Sequence, residues 1–300
     1  MNRSAVGLLG ARSLVGTHLI SQLQHDNINP VPFSRNNIDS STVSWKKLES
    51  DSHFNKSTNP IELPIEFWIS LMPIWELPQY FNMLKQYGVK NIVAVSSTSL
   101  FTKTNSANSA EQDVAKLLAD GETRLLEWAQ RNAISCTVLR PTLIYGGESD
   151  KNISELARFI QRLHFFPILG SAQGLRQPIH ARDVACACRL ALIKTTANTK
   201  FYNISGAEVL SYREMVRRVF IMLGKKPFFI PIPIWIFKLG VWLLKIVPRY
   251  RKWNPEMAER MNADLVFDHT LAAVDLGFKP QRFQLNPLEF SREPVKSRLF

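Results

Sequence analysis

Gly10, Ser13 and Gly16 stand three residues apart, between an apolar run, Ala5 to Leu9, and an amphipathic stretch that starts at Ser13. A diphosphate can approach a backbone only where side chains are absent or tiny. The first turn of a helix adds unpaired N–H groups and a partial positive charge. Gly10-Ala11-Arg12-Ser13-Leu14-Val15-Gly16 is therefore a candidate phosphate loop, with Arg12, Leu14 and Val15 as further backbone contacts. Ser13 takes a place where glycine is commoner, and its hydroxyl could donate to a phosphate. Taken alone, the loop also suits a tight turn in another α/β fold. A second strand-like run closes on Phe33-Ser34-Arg35. An acidic residue there would hold ribose hydroxyls, whereas a guanidinium and a hydroxyl suit a 2′-phosphate, with charge-assisted bonds of about 1.5–3 kcal/mol each. The expected cofactor is NADP, with NAD as second choice, unless Arg35 is simply one more surface cation.

These residues need a scaffold. Apolar runs at Ala5–Leu9, Pro30–Phe33, Phe67–Leu71, Asn91–Val95 and Ser135–Leu139 alternate with helical patterns from Ser13, from Trp75 and up to Asn132. That alternation predicts a Rossmann-type, doubly wound parallel α/β sheet. Ser34 to Pro60 reads as an exposed excursion, with Ser50-Asp51-Ser52-His53 as a loop tip. After Gly147 the pattern changes to helices with short irregular links, and Lys200–Ile204 reads as one more sheet strand. The predicted organisation is a dinucleotide domain of residues 1–147 plus about 181–205. A smaller, mostly helical substrate lobe takes about 148–180 plus 206–300.

Val95-Ser96-Ser97-Thr98-Ser99 closes one strand, Leu139-Arg140-Pro141-Thr142-Leu143-Ile144-Tyr145-Gly146 the next, and Arg176-Gln177-Pro178-Ile179-His180-Ala181-Arg182-Asp183-Val184-Ala185 follows in order. With the phosphate loop, these segments resemble the extended short-chain dehydrogenases/reductases that include the NAD(P)-dependent epimerases and dehydratases of nucleotide sugars. The chain is also similar to the atypical branch containing the accessory dinucleotide-binding subunit of respiratory complex I. The resemblance implies that Ser70, Leu71, Met72 and Pro73 border the cofactor, with Ser96 beside them and Pro141 and Thr142 closing the other side. It implies substrate contacts from Ser97, Thr98, Arg176 and His180. A fork of guanidinium donors at Arg176 suits a diphosphate.

The departure from that family lies in the proton relay. Its tyrosine and the lysine four residues later fall, when Glu122 is aligned, on Val114 and Leu118, which cannot carry a proton. Ser97 keeps the substrate-orienting hydroxyl, or else bonds nearby backbone. Lys103, Glu111, Lys116 and Tyr145 are the remaining candidates for acid or base, each with a solvated or packing role as its alternative. His180 is a ligand, a base or a packed interdomain histidine, and Asp183 is expected to cap the following helix. Two functions stay open. One is an NADP-dependent oxidoreductase or epimerase acting on a nucleotide-linked sugar or other bulky carbonyl compound. The other is a non-catalytic NADP-binding module with a structural or redox-sensing role.

A formal charge of +12 favours anionic company, but no nucleic-acid motif accompanies it and no such partner is expected. Cys136, Cys186 and Cys188 lack metal-ligand spacing and read as structural thiols, so no metal is expected. The first strand begins too early for a secretion leader, which predicts a cytoplasmic protein. Phe228 to Val247 is apolar between basic flanks; prolines limit its helix to Ile234–Val247, about 21 Å against ~30 Å of hydrocarbon. It is expected to cover the substrate cleft or to lie on an anionic membrane surface, and not to span.

Overall fold

The computed structural model describes residues 5–36, 38, 43–52, 64–104, 106, 108–147, 150, 152–194, 199–233 and 260–290. Seven parallel strands form its main sheet: β1 (Ala5–Leu9), β2 (Asn29–Ser34), β3 (Lys46–Lys47), β4 (Phe67–Ser70), β5 (Asn91–Val95), β6 (Ser135–Pro141) and, beyond four short strands given below, β11 (Lys200–Ile204). Their order is β11-β6-β5-β4-β1-β2-β3. The inner strands are buried on both faces, which is why they read as unbroken apolar runs. β2 carries Pro30 and Pro32 two residues apart, so the donors they lack fall on one edge. Its outer partner β3 pairs only with Phe33 and Ser34.

Helices cover both faces. On one, α1 (Leu14–His25) and α6 (Ala181–Ile193) bury Leu19, Leu23, Val184 and Cys188 against Val6, Leu8 and Leu139. On the other, α2 (Phe81–Gln86) and α4 (Ser109–Arg131) bury Leu84, Leu125 and Ala129 against Trp68, Ile92 and Val138. Between them α3 (Ser99–Thr102) is a single turn after β5. The helical pattern from Trp75 starts later than its sequence suggests, as a 3₁₀ turn at Leu77–Tyr80 followed by α2. Gly121 explains the delay, because a Cβ there would lie 2.8 Å from Trp75 N: the backbone of α4 presses on the Ile74–Trp75 segment. The Ser50–His53 segment is also not a free tip as far as it is described. Asp51 Oδ2 and Oδ1 accept the Asn82 and Met83 N–H groups at 2.9 and 3.0 Å, capping α2.

A third core forms beyond Tyr145, where α5 (Ile153–Leu163) and α7 (Tyr212–Met222) bury Ile153, Ile160, Val216 and Phe220. Short ladders accompany it: β7 (Ile144–Tyr145) with β10 (Ile179–His180), β8 (Phe166–Leu169) with β13 (Phe229–Ile232), and β9 (Leu175–Arg176) with β12 (Leu210–Ser211). The last described helix, α8 (Thr270–Leu276), packs on the α1/α6 side of the main sheet, and Asp275 accepts from Lys200 Nζ at 2.6 Å and Tyr202 Oη at 2.9 Å. Cys136 and Cys188 are buried thiols whose pKa burial raises, and the described residues hold no cluster of metal-ligating side chains. No described helix is long and apolar enough to cross a membrane. The stretch Ile234–Val247 lies outside the described residues, whereas the preceding Phe229–Ile232 is strand β13.

Candidate functional site

The strand order switches between β1 and β4, and the carboxyl ends of strands at such a switch flank the crevice where open α/β sheets take ligands. Gly10 stands there with φ +71°, and a Cβ on it would lie 2.7 Å from Met72 N, so the two strand ends meet only because position 10 has no side chain. A Cβ on Gly16 would collide with the Ala11 carbonyl, which fixes how closely α1 follows the loop. Ser13 is the N-cap of α1, and its Oγ accepts the Gly16 N–H at 3.1 Å. Leu14 and Val15 then remain the first-turn donors without intrahelical acceptors, and no acidic residue shares that turn. This donor set fits a diphosphate. Ser70 Oγ, at the end of β4, is buried without a hydrogen-bond partner among the described residues, a local cost of about 1–3 kcal/mol. Leu71, Met72 and Pro73 continue the rim; Leu71 N donates to the Leu9 carbonyl at 2.9 Å.

At the end of β2, Arg35 is exposed while Ser34 is buried, with its Oγ accepting the Asn36 N–H at 3.2 Å. The sequence reading missed Lys47, which β3 places in register with Ser34 and which pairs with Glu49 at 2.8 Å. Two consecutive lysines after an undistinguished polar stretch gave no signal of a strand.

Several hydroxyls assigned to cofactor or substrate are committed elsewhere. Ser96 Oγ donates to Glu122 Oε1 at 2.6 Å, Thr98 Oγ1 to the Pro141 carbonyl at 3.1 Å, and Thr142 Oγ1 to the Gln177 carbonyl at 2.5 Å. These bonds tie the ends of β5 and β6 to each other, to α4 and to Gln177 between β9 and β10, so Ser96, Thr98, Pro141 and Thr142 shape the rim by backbone position. Glu122, 4% exposed, also receives both arms of the Arg140 guanidinium, Nε at 2.9 Å and the second nitrogen still closer. Arg140 lies over Phe201 at 4.4 Å and Phe101 at 5.1 Å. Leu118 is buried in the α4 core and Val114 packs against it, so the relay positions carry apolar packing.

Of the candidate acids and bases, two come together. Lys103 is half-buried, and its pKa is lowered by burial against the opposing charge of Glu111. Glu111 accepts from Ser106 Oγ at 2.8 Å and from Arg260 at 2.8 Å. Arg260, 149 residues further along the chain, left no sequence signal of this contact. Ser97 Oγ accepts the Ser99 N–H at 3.1 Å and keeps its own proton. Lys116 does not join them: its side chain is 75% exposed beside Asp113, one helical face away. Tyr145 is buried, edge-on to His180 and Phe283, its Oη accepting the Gln284 N–H at 3.2 Å, and burial pushes its pKa up to about 12. Such a phenol is a packing residue.

His180 proves to be the N-cap of α6. Its Nδ1 accepts the Arg182 N–H at 3.0 Å, which leaves Nε2 to donate towards Glu289 at 3.4 Å. Asp183, expected as that cap, instead accepts the Gln281 N–H at 2.8 Å and holds the C-terminal segment down. Arg176 is 4% exposed, and its donors reach the carbonyls of Leu175 (2.8 Å), Ala263 (2.7 Å) and Arg260. It lines a cavity of about 370 Å³ together with Leu143, Tyr212 and Arg260.

This geometry can be set beside known proteins. Residues 79–205 match the sequence profile of the NAD dependent epimerase/dehydratase family. UDP-glucose 4-epimerase of Vibrio cholerae is 24% identical over 211 residues, 66% of this chain and 62% of that protein. NADH dehydrogenase [ubiquinone] 1 alpha subcomplex subunit 9 of Arabidopsis thaliana mitochondria is 26% identical over 175 residues, 55% and 43% of the two chains. The match thus spans less than two thirds of either relative. In fold, UDP-N-acetylglucosamine 4-epimerase from Bacillus cereus superposes with a TM-score of 0.67 at 13% identity, covering 96% of this chain and 94% of that one. MoeE5 in complex with UDP-glucuronic acid and NAD gives 0.65 at 21%, covering 92% and 93%. The protein is a Rossmann-type dinucleotide-fold protein. Within that fold, its residues 79–205 are similar to the NAD dependent epimerase/dehydratase family.

Proposed function

We propose that this chain binds NADP in the crevice between β1 and β4 and acts as an oxidoreductase or epimerase on a nucleotide-linked sugar or another bulky carbonyl compound. The observation that carries the reading is the crevice itself: Gly10 at positive φ, the Ser13 cap and two unclaimed N–H groups at Leu14 and Val15. The first-turn donors would hold the diphosphate, and Arg35 with Lys47 would hold a 2′-phosphate. When bound, the nicotinamide supplies or accepts a hydride. Ser97 Oγ–H orients the substrate oxygen. Lys103 Nζ moves the proton to or from that oxygen, its ammonium weakened as a charge by burial, while Glu111, held by Arg260 and Ser106, positions it.

A second reading, a non-catalytic cofactor-binding module, draws on the apolar relay positions Val114 and Leu118 and on the likeness to the NADH dehydrogenase subunit. A peripheral contact of the Phe228–Val247 stretch and its basic flanks with an anionic membrane fits either reading, and high salt should then release the protein from liposomes. Titration calorimetry tests the cofactor assignment. NADPH should bind at least tenfold tighter than NADH, and Arg35→Ala should remove most of that difference. Equal affinities for the two cofactors in the unmodified protein would end the NADP assignment.

A further inference from the structure

The cavity beside Arg176 has an uneven wall. Two guanidinium groups, Arg176 and Arg260, line it, with the Tyr212 ring centroid 5.4 Å from the Arg176 guanidinium carbon. Arg176 is almost wholly buried, yet its acceptors are three backbone carbonyls and no carboxylate pairs with it among the described residues. Asp264, whose charge reaches it, accepts the Leu175 N–H instead. A guanidinium has five N–H donors, so two of them remain for a ligand. A buried cation matched only by dipoles is costly unless an anion joins it. Carbonyl oxygens satisfy its hydrogen bonds, and the Asp264 carboxylate opposes its charge only from a distance.

The rest of the described lining is largely apolar. Leu156 and Phe159 from α5, Phe166 from β8, Met215 from α7, and Met261 and Leu265 from the returning segment face the same space. Of the polar residues there, Asn152 gives its amide N–H to the Ile144 carbonyl, and Glu155 is exposed at the rim. A nucleobase presents several donors and acceptors that must be met when it leaves water, and a site built to bind one supplies matching groups. The described lining thus pairs two guanidinium groups with a largely hydrocarbon surface.

We infer that the cavity takes an amphipathic anion, a phosphate or carboxylate carrying an extended apolar chain, with the anion between Arg176 and Arg260 and the chain along Leu156, Phe159 and Met215. The inference narrows the carbonyl reading above by naming the carrier of the substrate, and it rests on that reading only for the chemistry that follows binding. Leu143, two residues beyond Pro141, and Arg260, paired with Glu111, connect the cavity to the cofactor crevice and the Lys103 segment.

Binding is measured without turnover, by calorimetry on the full chain with n-decyl phosphate below its micelle concentration, inorganic phosphate, 1-decanol and UDP. Decyl phosphate should bind at least tenfold tighter than each of the other three. Leu156→Glu, which sets a carboxylate in the apolar wall, should weaken it at least tenfold, and Arg260→Gln should do so from the other end. NADPH titrations on the same samples report folding and keep the two readings apart: lost NADPH binding with retained decyl phosphate binding would count against the cofactor site alone. The inference is overturned if UDP binds as tightly as decyl phosphate, if decyl phosphate does not bind, or if both folded variants bind it like the unmodified chain.

Discussion

Replacing Arg140 with Met should lower the unfolding free energy by about 3–5 kcal/mol, because it strands the Glu122 carboxylate in the interior without its partner. Glu122 has the Ser96 hydroxyl as its other contact, and one neutral donor does not replace a two-armed guanidinium. The lost stacking on Phe201 and Phe101 adds to the effect. A thermal scan should show the midpoint falling by roughly 5–15 °C. The double variant Arg140→Met with Glu122→Leu should recover a good part of the loss, since apolar replacement of both partners removes the stranded charge. A single variant within 2 °C of the unmodified protein would mean that the pair contributes nothing.

The second large effect concerns turnover. Lys103→Met should reduce kcat by roughly 10²- to 10⁴-fold in NADPH-coupled carbonyl reduction, the usual weight of a positioned acid. The assay uses whichever carbonyl compound, nucleotide-linked or carried on an anion with an apolar chain, the unmodified enzyme accepts. As an acid, Lys103 works in its ammonium form, and burial lowers its pKa below that of a free lysine. The unmodified enzyme should therefore lose activity as pH rises through that lowered value, and the variant should lack that limb. Glu111→Gln should move the limb towards lower pH, because Glu111 opposes the shift. Lys116→Met should leave kcat nearly unchanged, as its side chain stands in solvent. Val114→Ala and Leu118→Ala should act on stability before turnover. A Lys103→Met enzyme with full kcat and an unchanged pH profile would remove Lys103 from the site. An unmodified protein inert towards both compound classes, but binding NADPH, would favour the non-catalytic module.

Much of this is legible in the residues alone. Five of the seven sheet strands, at β1, β2, β4, β5 and β6, announce themselves as apolar runs because parallel strands are buried on both faces, while the edge strand β11 shows only as a short Lys-Phe-Tyr-Asn-Ile run buried at Tyr202 and Ile204. The turn proposed to hold phosphate is legible because a positive φ and a close backbone approach leave a glycine no substitute, as at Gly10. What sequence could not show is where short polar side chains direct their hydroxyls. Ser96, Thr98 and Thr142 look like site residues at strand ends, yet each is satisfied by a group 26 to 43 residues away. Capping misled in the same way: Asp183 has the right chemistry, but the chain direction at His180 put the imidazole on the Arg182 N–H. Contacts such as Arg260 with Glu111 join distant segments through the fold, and no local pattern encodes them.

In the proposed function the crevice between β1 and β4 holds a dinucleotide, with Lys103 serving its reactive end. A crystal structure of the ternary complex with NADPH and an accepted carbonyl compound tests it most directly. The diphosphate should sit on the Leu14 and Val15 N–H groups, the 2′-phosphate beside Arg35, and Lys103 Nζ within about 3 Å of the carbonyl oxygen over the open face of the nicotinamide. NADPH bound away from that loop, or a nicotinamide face bordered by no ionisable group within reach, would contradict the account.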